Sequence, residues 1–537
     1  MSVTRALVAI GLCIAPAIAH AQFVDRAVVV PAPAEAAAPP DDARPPRTAS
    51  AEAPAKLEVR LTLSSFLYRE LADDAAPLVA NGAAPAGASP VRRFFGDLRG
   101  ELTAERVGGG TVKLDGRLRA ATLERYQGGD DEYELRALTY ARALGPAELR
   151  LGRQVIDALG ATRVDGAQLT APLAGRLRLT TFAGAYPQRG SRSLATDYPT
   201  LHAMDGSATG RLIPIAGGAG VSYRKASYAA DLGAVGVVAA AGEVPGATAA
   251  DGRRGFVTAN GYARPHPAID LYGHGVVDVI AADGARVTEA SGGVDVWAHP
   301  AVELSLTGHH AANELFAIAA RDQLVDPDPA AMGQVENGAA IVRVSQDAAR
   351  ASASIAVAEQ RFQLTVGAGY LQRPAVVVPL TGGGALTMPG AQMGELTVSA
   401  LDRRAPGRLR VEASGTALTP LGAASASRSR AVIGRLAVER DGDGAAFTID
   451  ASAHSYRDLG PAGGCLTLDP LACLGTSATR GLAAGALVSL SAGPEWLILV
   501  DARGGLDDTD ATFGGAAVTW PRRYWLSAFA RLQWRYR

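Results

Sequence analysis

Residues Arg408 to Thr416 read R-L-R-V-E-A-S-G-T. In an extended chain Arg408, Arg410, Glu412, Ser414 and Thr416 share one face, and Leu409, Val411, Ala413 and Gly415 share the other. A side-chain period of two, polar on one face and apolar on the other, marks a β-strand that meets two different environments. Phe362 to Tyr370 repeats the pattern: Phe362, Leu364, Val366, Ala368 and Tyr370 oppose Gln363, Thr365, Gly367 and Gly369. Segments of this kind recur from about Leu57 to the C-terminus. Together they predict an all-β protein, a closed antiparallel transmembrane β-barrel over residues 56–537.

The start of the chain fits export. Met1 to Arg5 is a short basic region, Ala6 to Ala17 is apolar, and Ala19-His20-Ala21 is a small-x-small cleavage site. Residues 1–21 therefore read as a signal peptide, with Gln22 as the first mature residue. Cys13 does not mark a lipoprotein, because it comes early in the apolar run and follows Leu12. Residues 22–55 read as a Pro/Ala-rich disordered linker, rich in proline and without periodicity from Val30 to Ala55. Behind a barrel this linker lies in the periplasm.

Composition narrows the class. No second stretch of about twenty apolar residues exists, so helical membrane spans are excluded. The net charge of −1 over 537 residues gives no basic footprint for nucleic acid. The 62 glycines are spread through strand-like segments, where they relieve crowding and permit bends. Of the cysteines outside the signal, Cys465 and Cys473 flank a small loop containing Pro470, and an even count in an exported protein favours a disulfide. No metal site, cofactor site or catalytic residue is expected. His309 and His310 are adjacent and point to opposite faces of a strand, and no G-x-S-x-G is present. A hydrolytic Ser–His pair across strands, using His274 or His454, is the enzymatic alternative.

About two dozen strands can be counted, and an even number of 22 to 24 is expected. Examples are Tyr133 to Leu144 and Ala147 to Asp157 around Gly145-Pro146, and Ala161 to Leu173, which turns through Ala174-Gly175 into Arg176 to Tyr186. Val432 to Arg440 and Phe447 to Tyr456 flank Asp441-Gly442-Asp443-Gly444, a strong turn signal. Trp496 to Arg503, Phe513 to Trp520 and Tyr524 to Arg535 read as three closing strands. Long connections fall at residues 71–90, 187–214, 240–253 and 310–333. Asn313 to Leu324 has helical spacing of Leu315, Ile318 and Ala319, and would fold into the lumen or form an outer loop.

Leu151-Gly152-Arg153-Gln154, followed by Arg163-Val164-Asp165-Gly166-Ala167, resembles a strand-pair pattern of porin-like outer-membrane channels of Gram-negative bacteria. The resemblance implies a passive or selective channel for small hydrophilic solutes in the outer membrane. Its implied partners are membrane lipid, lipopolysaccharide and the barrel assembly machinery. A TonB-dependent transporter would need a plug domain, whereas here the linker runs straight into strands. The polar faces predict pore-lining residues: Lys113, Asp115, Arg117, Arg119, Glu134, Arg136, Arg176, Arg178, Glu303, Arg408, Arg410, Glu412 and Asp450. Opposed arginines and carboxylates can set a transverse field that selects ions, anions among them, or can brace a wide barrel as salt-bridged rows. An enzyme or adhesin carried by the long loops is the competing reading.

Overall fold

The computed structural model describes residues 56–72, 92–121, 131–187, 197–198, 200–202, 208–211, 213–239, 253–281, 284–312, 345–379, 385–388, 390–405, 409–421, 429–442, 444–458, 474–513 and 516–536. The expected signal and linker, Arg408, the 313–324 segment, Cys465 and Cys473 lie outside the described residues.

The chain folds as β1 (Leu57–Ala72), β2 (Arg92–Val107), β3 (Gly110–Ala121), β4 (Asp131–Leu144), β5 (Ala147–Ile156), β6 (Thr162–Ala174) and β7 (Leu177–Ala185). A small hairpin of β8 (Thr200–His202) and β9 (Ala208–Arg211) follows. Then come β10 (Ile215–Lys225), β11 (Tyr228–Val238), β12 (Arg253–His266), β13 (Ile269–Ile280), β14 (Arg286–His299), β15 (Val302–Ala312), β16 (Ser345–Val357) and β17 (Phe362–Arg373). A second hairpin pairs β18 (Val376–Pro379) with β19 (Ala385–Met388). The chain closes with β20 (Ala391–Ala405), β21 (Leu409–Pro420), β22 (Arg430–Gly442), β23 (Ala445–Asp458), β24 (Leu474–Ala492), β25 (Trp496–Phe513) and β26 (Ala516–Tyr536).

Leaving out the two hairpins, the strands form one 22-stranded antiparallel sheet. β7 pairs with β10 and β17 with β20, so both hairpins sit in connections rather than in the wall. The sheet closes where β1 pairs with β26 over fourteen residues, from Val59↔Tyr536 to Ala72↔Arg523. Closure leaves no sheet edge, the condition for burying strands in hydrocarbon.

The apolar faces point outward. Leu61, Leu63 and Leu67 of β1, Leu114 and Leu118 of β3 and Phe362, Leu364 and Val366 of β17 are all exposed. Leu232 and Val432 reach 60% and 59% exposure, more than water tolerates for a continuous band of leucine and valine. Exposed Phe94, Tyr133, Tyr370 and Tyr524 lie toward one rim, and Tyr228, Phe362, Trp496 and Tyr536 toward the other. Along β17 the rings of Phe362 and Tyr370 bracket a band about 20 Å tall, given the usual strand rise and tilt. Two aromatic girdles around an apolar belt are the surface of a barrel that crosses a lipid bilayer.

Two details of the expected strand list change. The two-residue turn is Gly175-Arg176, since Ala174 pairs with Leu177; Gly175 takes φ +55°, which the first position of a primed hairpin turn requires. The three closing strands are two. β25 runs to Phe513, and Ala516 to Tyr536 is a single strand through Pro521, with a register shift between Asp507 and Thr509. Pro521 does not break the strand, because a proline next to such an irregularity removes no ladder bond that the strand needs.

Candidate functional site: the barrel interior

Inside the ring the polar faces form a ladder across β1 to β4. Lys113, Asp115, Arg117 and Arg119 share one face of β3, opposite the exposed Leu114 and Leu118. The same alternation on β2 turns Asp97, Arg99 and Glu101 inward, opposite Phe94 and Leu98. Register then couples the strands: Asp97 faces Arg119, and Glu101 faces Asp115. Arg119 donates to both Asp97 oxygens at 2.7 and 2.6 Å, and Arg99 to both Asp115 oxygens at 3.0 and 2.8 Å. Arg60 and Arg99 both reach Glu101, at 3.2 and 3.0 Å. Arg117 lies 3.2 Å from Glu134. Half-buried pairs of this kind each contribute about 0–1 kcal/mol, so the ladder fixes side-chain positions more than it stabilises the fold.

The other expected interior residues are placed as follows. Arg136 sits at the bulge of β4, where the register with β3 shifts, 3.9 Å from Glu134. Arg176 occupies the turn before β7, at the rim, rather than a strand face. Arg178 is on the face of Thr180 and Phe182, and Glu303 is opposite the exposed Leu304 and Leu306. Arg410 lies 3.6 Å from Glu439 and 3.7 Å from Asp441. Glu412 shares the face of Arg410. Asp450 is buried between Arg435 at 3.2 Å and Arg503 at 3.5 Å. Among the described residues, Lys113 and Arg178 make no ion pair. Arg60, Asp97, Arg99 and Glu101 were missed, although the period-two pattern of β1 and β2 carries them.

A second wall, from β5 to β12, is built differently. Gly152 stands opposite Gly166, and Gly166 opposite Gly184. A Cβ on any of the three would overlap a carbonyl oxygen, those of Leu138, Ala183 and Asp165 respectively, so three strands approach as only glycine allows. At this corner the β4–β5 ladder stops at Leu138↔Arg153. The Leu135 carbonyl beyond it accepts from Arg153 Nη1 at 3.1 Å and from Arg163 Nη2 at 2.7 Å. Arg153 grips both oxygens of Asp165, at 2.6 and 2.5 Å, and Asp197 at 2.5 Å. Tyr198 donates to Asp165 at 2.6 Å.

The register puts Arg153, Arg163 and Asp165 on the outward face of Leu151 and Leu169, where unpaired charge is costly. Two arginines and two aspartates cancel there, and they seal the frayed ladder while tying down the connection after β7. Burial first, then the hydrogen bond to Asp165, pushes the Tyr198 phenol well above its ordinary range. The sequence pattern that resembled porins contains Gly152, Arg153, Asp165 and Gly166, so its content here is this corner.

Above the corner, the connection from β5 to β6 turns inward. Asp157–Leu159 forms one 3-10 turn, ended by Gly160 at φ +67°. Leu159 is fully buried over Gly220 and Gly233 of β10 and β11, which leave the space for it. Ile156, Val164, Phe182, Val235 and Phe256 complete a small apolar core on the inner side of the wall. Arg254 covers it, stacked 4.3 Å from the Phe256 ring and bonded to Asp278 at 3.0 Å. This shelf folds inward from the wall. The 313–324 segment, expected either to constrict the lumen or to form an outer loop, lies outside the described residues.

The histidines considered for hydrolysis are engaged by other groups. His274 Nδ1 bonds Asn260 and its Nε2 lies 3.8 Å from Glu289, while His454 Nε2 lies 3.2 Å from Asp507. No group of three or more metal-ligating side chains occurs among the described residues.

No protein-family model matches the chain, and no curated protein matches it. Solved structures of outer-membrane proteins align with it at low similarity. OccAB2 of Acinetobacter baumannii is 10% identical, with 90% of this chain and 98% of that one covered and a TM-score of 0.36. OccK2 of Pseudomonas aeruginosa is 12% identical, with coverage of 89% and 98% and a TM-score of 0.33. OmpT, an outer membrane protein of Vibrio cholerae in a loop-deletion form, is 9% identical, with coverage of 89% and 99% and a TM-score of 0.29. In form, this closed 22-stranded chain resembles the porin-like outer-membrane barrels.

Proposed function

We propose that this protein is an outer-membrane channel through which small hydrophilic solutes, anions among them, diffuse. One observation carries the reading: a ring closed without an edge presents an apolar belt outward and ion-paired rows inward. A circular barrel of this strand count is about 40 Å across its backbone, wide enough for a water-filled lumen even with a shelf on one side. Within it the paired ladder supplies a transverse field and little net charge. Lys113 and Arg178, without ion pairs among the described residues, supply the positive bias. The short turns, on the same rim as Leu57 and Tyr536, face the periplasm, where the 22–55 linker also lies, and the long connections face outward. Membrane lipid, lipopolysaccharide and the assembly machinery follow as partners.

The test is single-channel recording in a planar bilayer under a salt gradient. An ohmic pore with a reversal potential on the anion side is expected, and Lys113→Gln with Arg178→Gln moves it toward zero. Arg117→Gln moves it less, because it removes one positive charge where the double variant removes two, and Glu134 keeps Arg136 at 3.9 Å. A folded barrel that carries no current would overturn the proposal, and unchanged reversal potentials in the double variant would remove its anionic part.

A further inference from the structure

The ladder gives way to aromatic rings where the barrel closes. Phe66 of β1 pairs with Phe529 of β26 on one side and with Phe95 of β2 on the other. All three alternate with outward leucines and so face inward. Phe66 and Phe95 are stacked, with centroids 5.1 Å apart. One step toward the long-connection rim, Tyr68 and Trp525 stack at 6.3 Å. Trp525 lies over Gly505, which leaves room for the ring against the backbone. None of these five rings is buried, so flat apolar surface faces a polar interior, where a band of such surface marks a binding site.

The groups beneath the rings define the ligand. Arg119 stacks 4.7 Å over Phe95 while it holds Asp97 bidentately. Arg531 stacks 5.2 Å over Phe529, donates to Ser64 at 3.3 Å, and pairs with no carboxylate among the described residues. Flat rings bordered by planar donors and acceptors suit a molecule with apolar faces and hydroxylated edges. A pyranose has that shape: its axial C–H groups stack on an aromatic face, and neighbouring equatorial hydroxyls bridge a guanidinium and a carboxylate. Three adjacent strands put the Phe529–Phe66–Phe95 row about 10 Å across, and the second row lies about 7 Å away, enough for two or three sugar rings. A lone aromatic solute would fill one ring's width and leave the hydroxyl-binding border unused.

We propose that Phe66, Tyr68, Phe95, Trp525 and Phe529, with Arg119 and Asp97 at their border, form a subsite for linear oligosaccharides of pyranose units on the channel wall. The proposal rests on the channel reading for its meaning, but it can be tested apart from it. Titrating the whole purified protein in detergent with maltohexaose, and separately with an oligogalacturonate, should change tryptophan fluorescence with saturation. Trp525→Phe should remove most of that signal. Phe66→Leu with Phe95→Leu, which keeps the apolar volume and removes the flat faces, should weaken binding about tenfold for the loss of two stacks. Trp297→Phe should leave it unchanged. In the bilayer the same sugars should interrupt the current, and the double variant should shorten the interruptions. Saturable binding without conductance would uphold the subsite and sink the channel. Conductance with no binding of either sugar, or with equal binding by wild type and double variant, would overturn the subsite. Should the double variant fail to fold, Arg119→Lys decides: it keeps the charge and loses the bidentate border, so unweakened binding overturns the proposal. Tighter binding of the uronate than of the neutral sugar would assign Arg531 to a sugar carboxylate, and equal binding would leave the neutral border as the recognition element; both support the subsite.

Discussion

The wall from β1 to β4 and the wall from β5 to β12 solve the same problem with opposite chemistry. The first is the more regular: long ladders interrupted by single bulges, and charges that pair across strands in a half-wet interior. The second is short, frayed and tightly bent, and it is held by glycine contacts, a sealed charge cluster and an apolar shelf. The first wall can lose a side chain and keep its shape. The second depends on particular atoms, because its backbones touch and its charges are buried.

The sharpest way to break that contrast is steric. Gly166→Val should yield no folded, heat-modifiable barrel on a gel, since the new side chain overlaps the Ala183 carbonyl. Gly434→Val, where a Cβ meets nothing within 4 Å, should fold normally. Equal folding of the two would mean that the corner is not tight.

Charge removal comes next. Arg153→Ala strands the buried Asp197 and half-buried Asp165, and should cost about 3–5 kcal/mol in denaturant unfolding. Arg60→Ala, on the exposed end of the ladder, should cost about 0–1 kcal/mol. Similar losses would erase the distinction between the walls.

The shelf tests packing. Leu159→Ala should cost about 2–5 kcal/mol, and if the shelf narrows the lumen it should also raise single-channel conductance. Lower stability with unchanged conductance would leave Leu159 a purely structural residue.

The smallest effect is on pH. Tyr198 keeps its proton longer in the folded protein than in the unfolded one, because of burial and its bond to Asp165. Its contribution is thus complete below the ordinary phenol range, about pH 10, and fades as pH rises above it. Protease cleavage in the connection after β7 should increase only above that range in wild type, and at neutral pH already in Tyr198→Phe. Cleavage that is indifferent to both would remove Tyr198 from the latch.

Much of the regular wall was legible in the sequence. Lys113, Asp115, Arg117 and Arg119 alternate with Val112, Leu114, Gly116 and Leu118, and that alone assigns their face. Turn chemistry located Gly145-Pro146 between its strands, and placed the β22–β23 turn within the Asp441–Gly444 cluster, whose first two residues continue β22. The irregular wall was not legible, for a physical reason. Arg153 keeps the outward parity of Leu151, and nothing in spacing says that a carbonyl of the preceding strand, together with Asp197, will bury it. Leu159 reads as an ordinary loop residue until Gly220 and Gly233 are seen to leave a hole for it. The aromatic rings at the closure were legible singly, but their grouping depends on pairing β1 with β26, which no local pattern encodes.

That closure has a kinetic meaning. The Arg531–Ser64 bond joins residues 467 positions apart, whereas Arg99 and Asp115 are 16 apart. Bringing the distant pair together costs about 3 kcal/mol more in chain entropy, and only the cooperative zipping of fourteen paired residues offsets it. The β1–β26 seam is therefore the last contact worth forming and the first to open. A nascent barrel without it presents two unpaired strand edges, and the rings of Phe66 and Phe529 meet only once those edges have found each other.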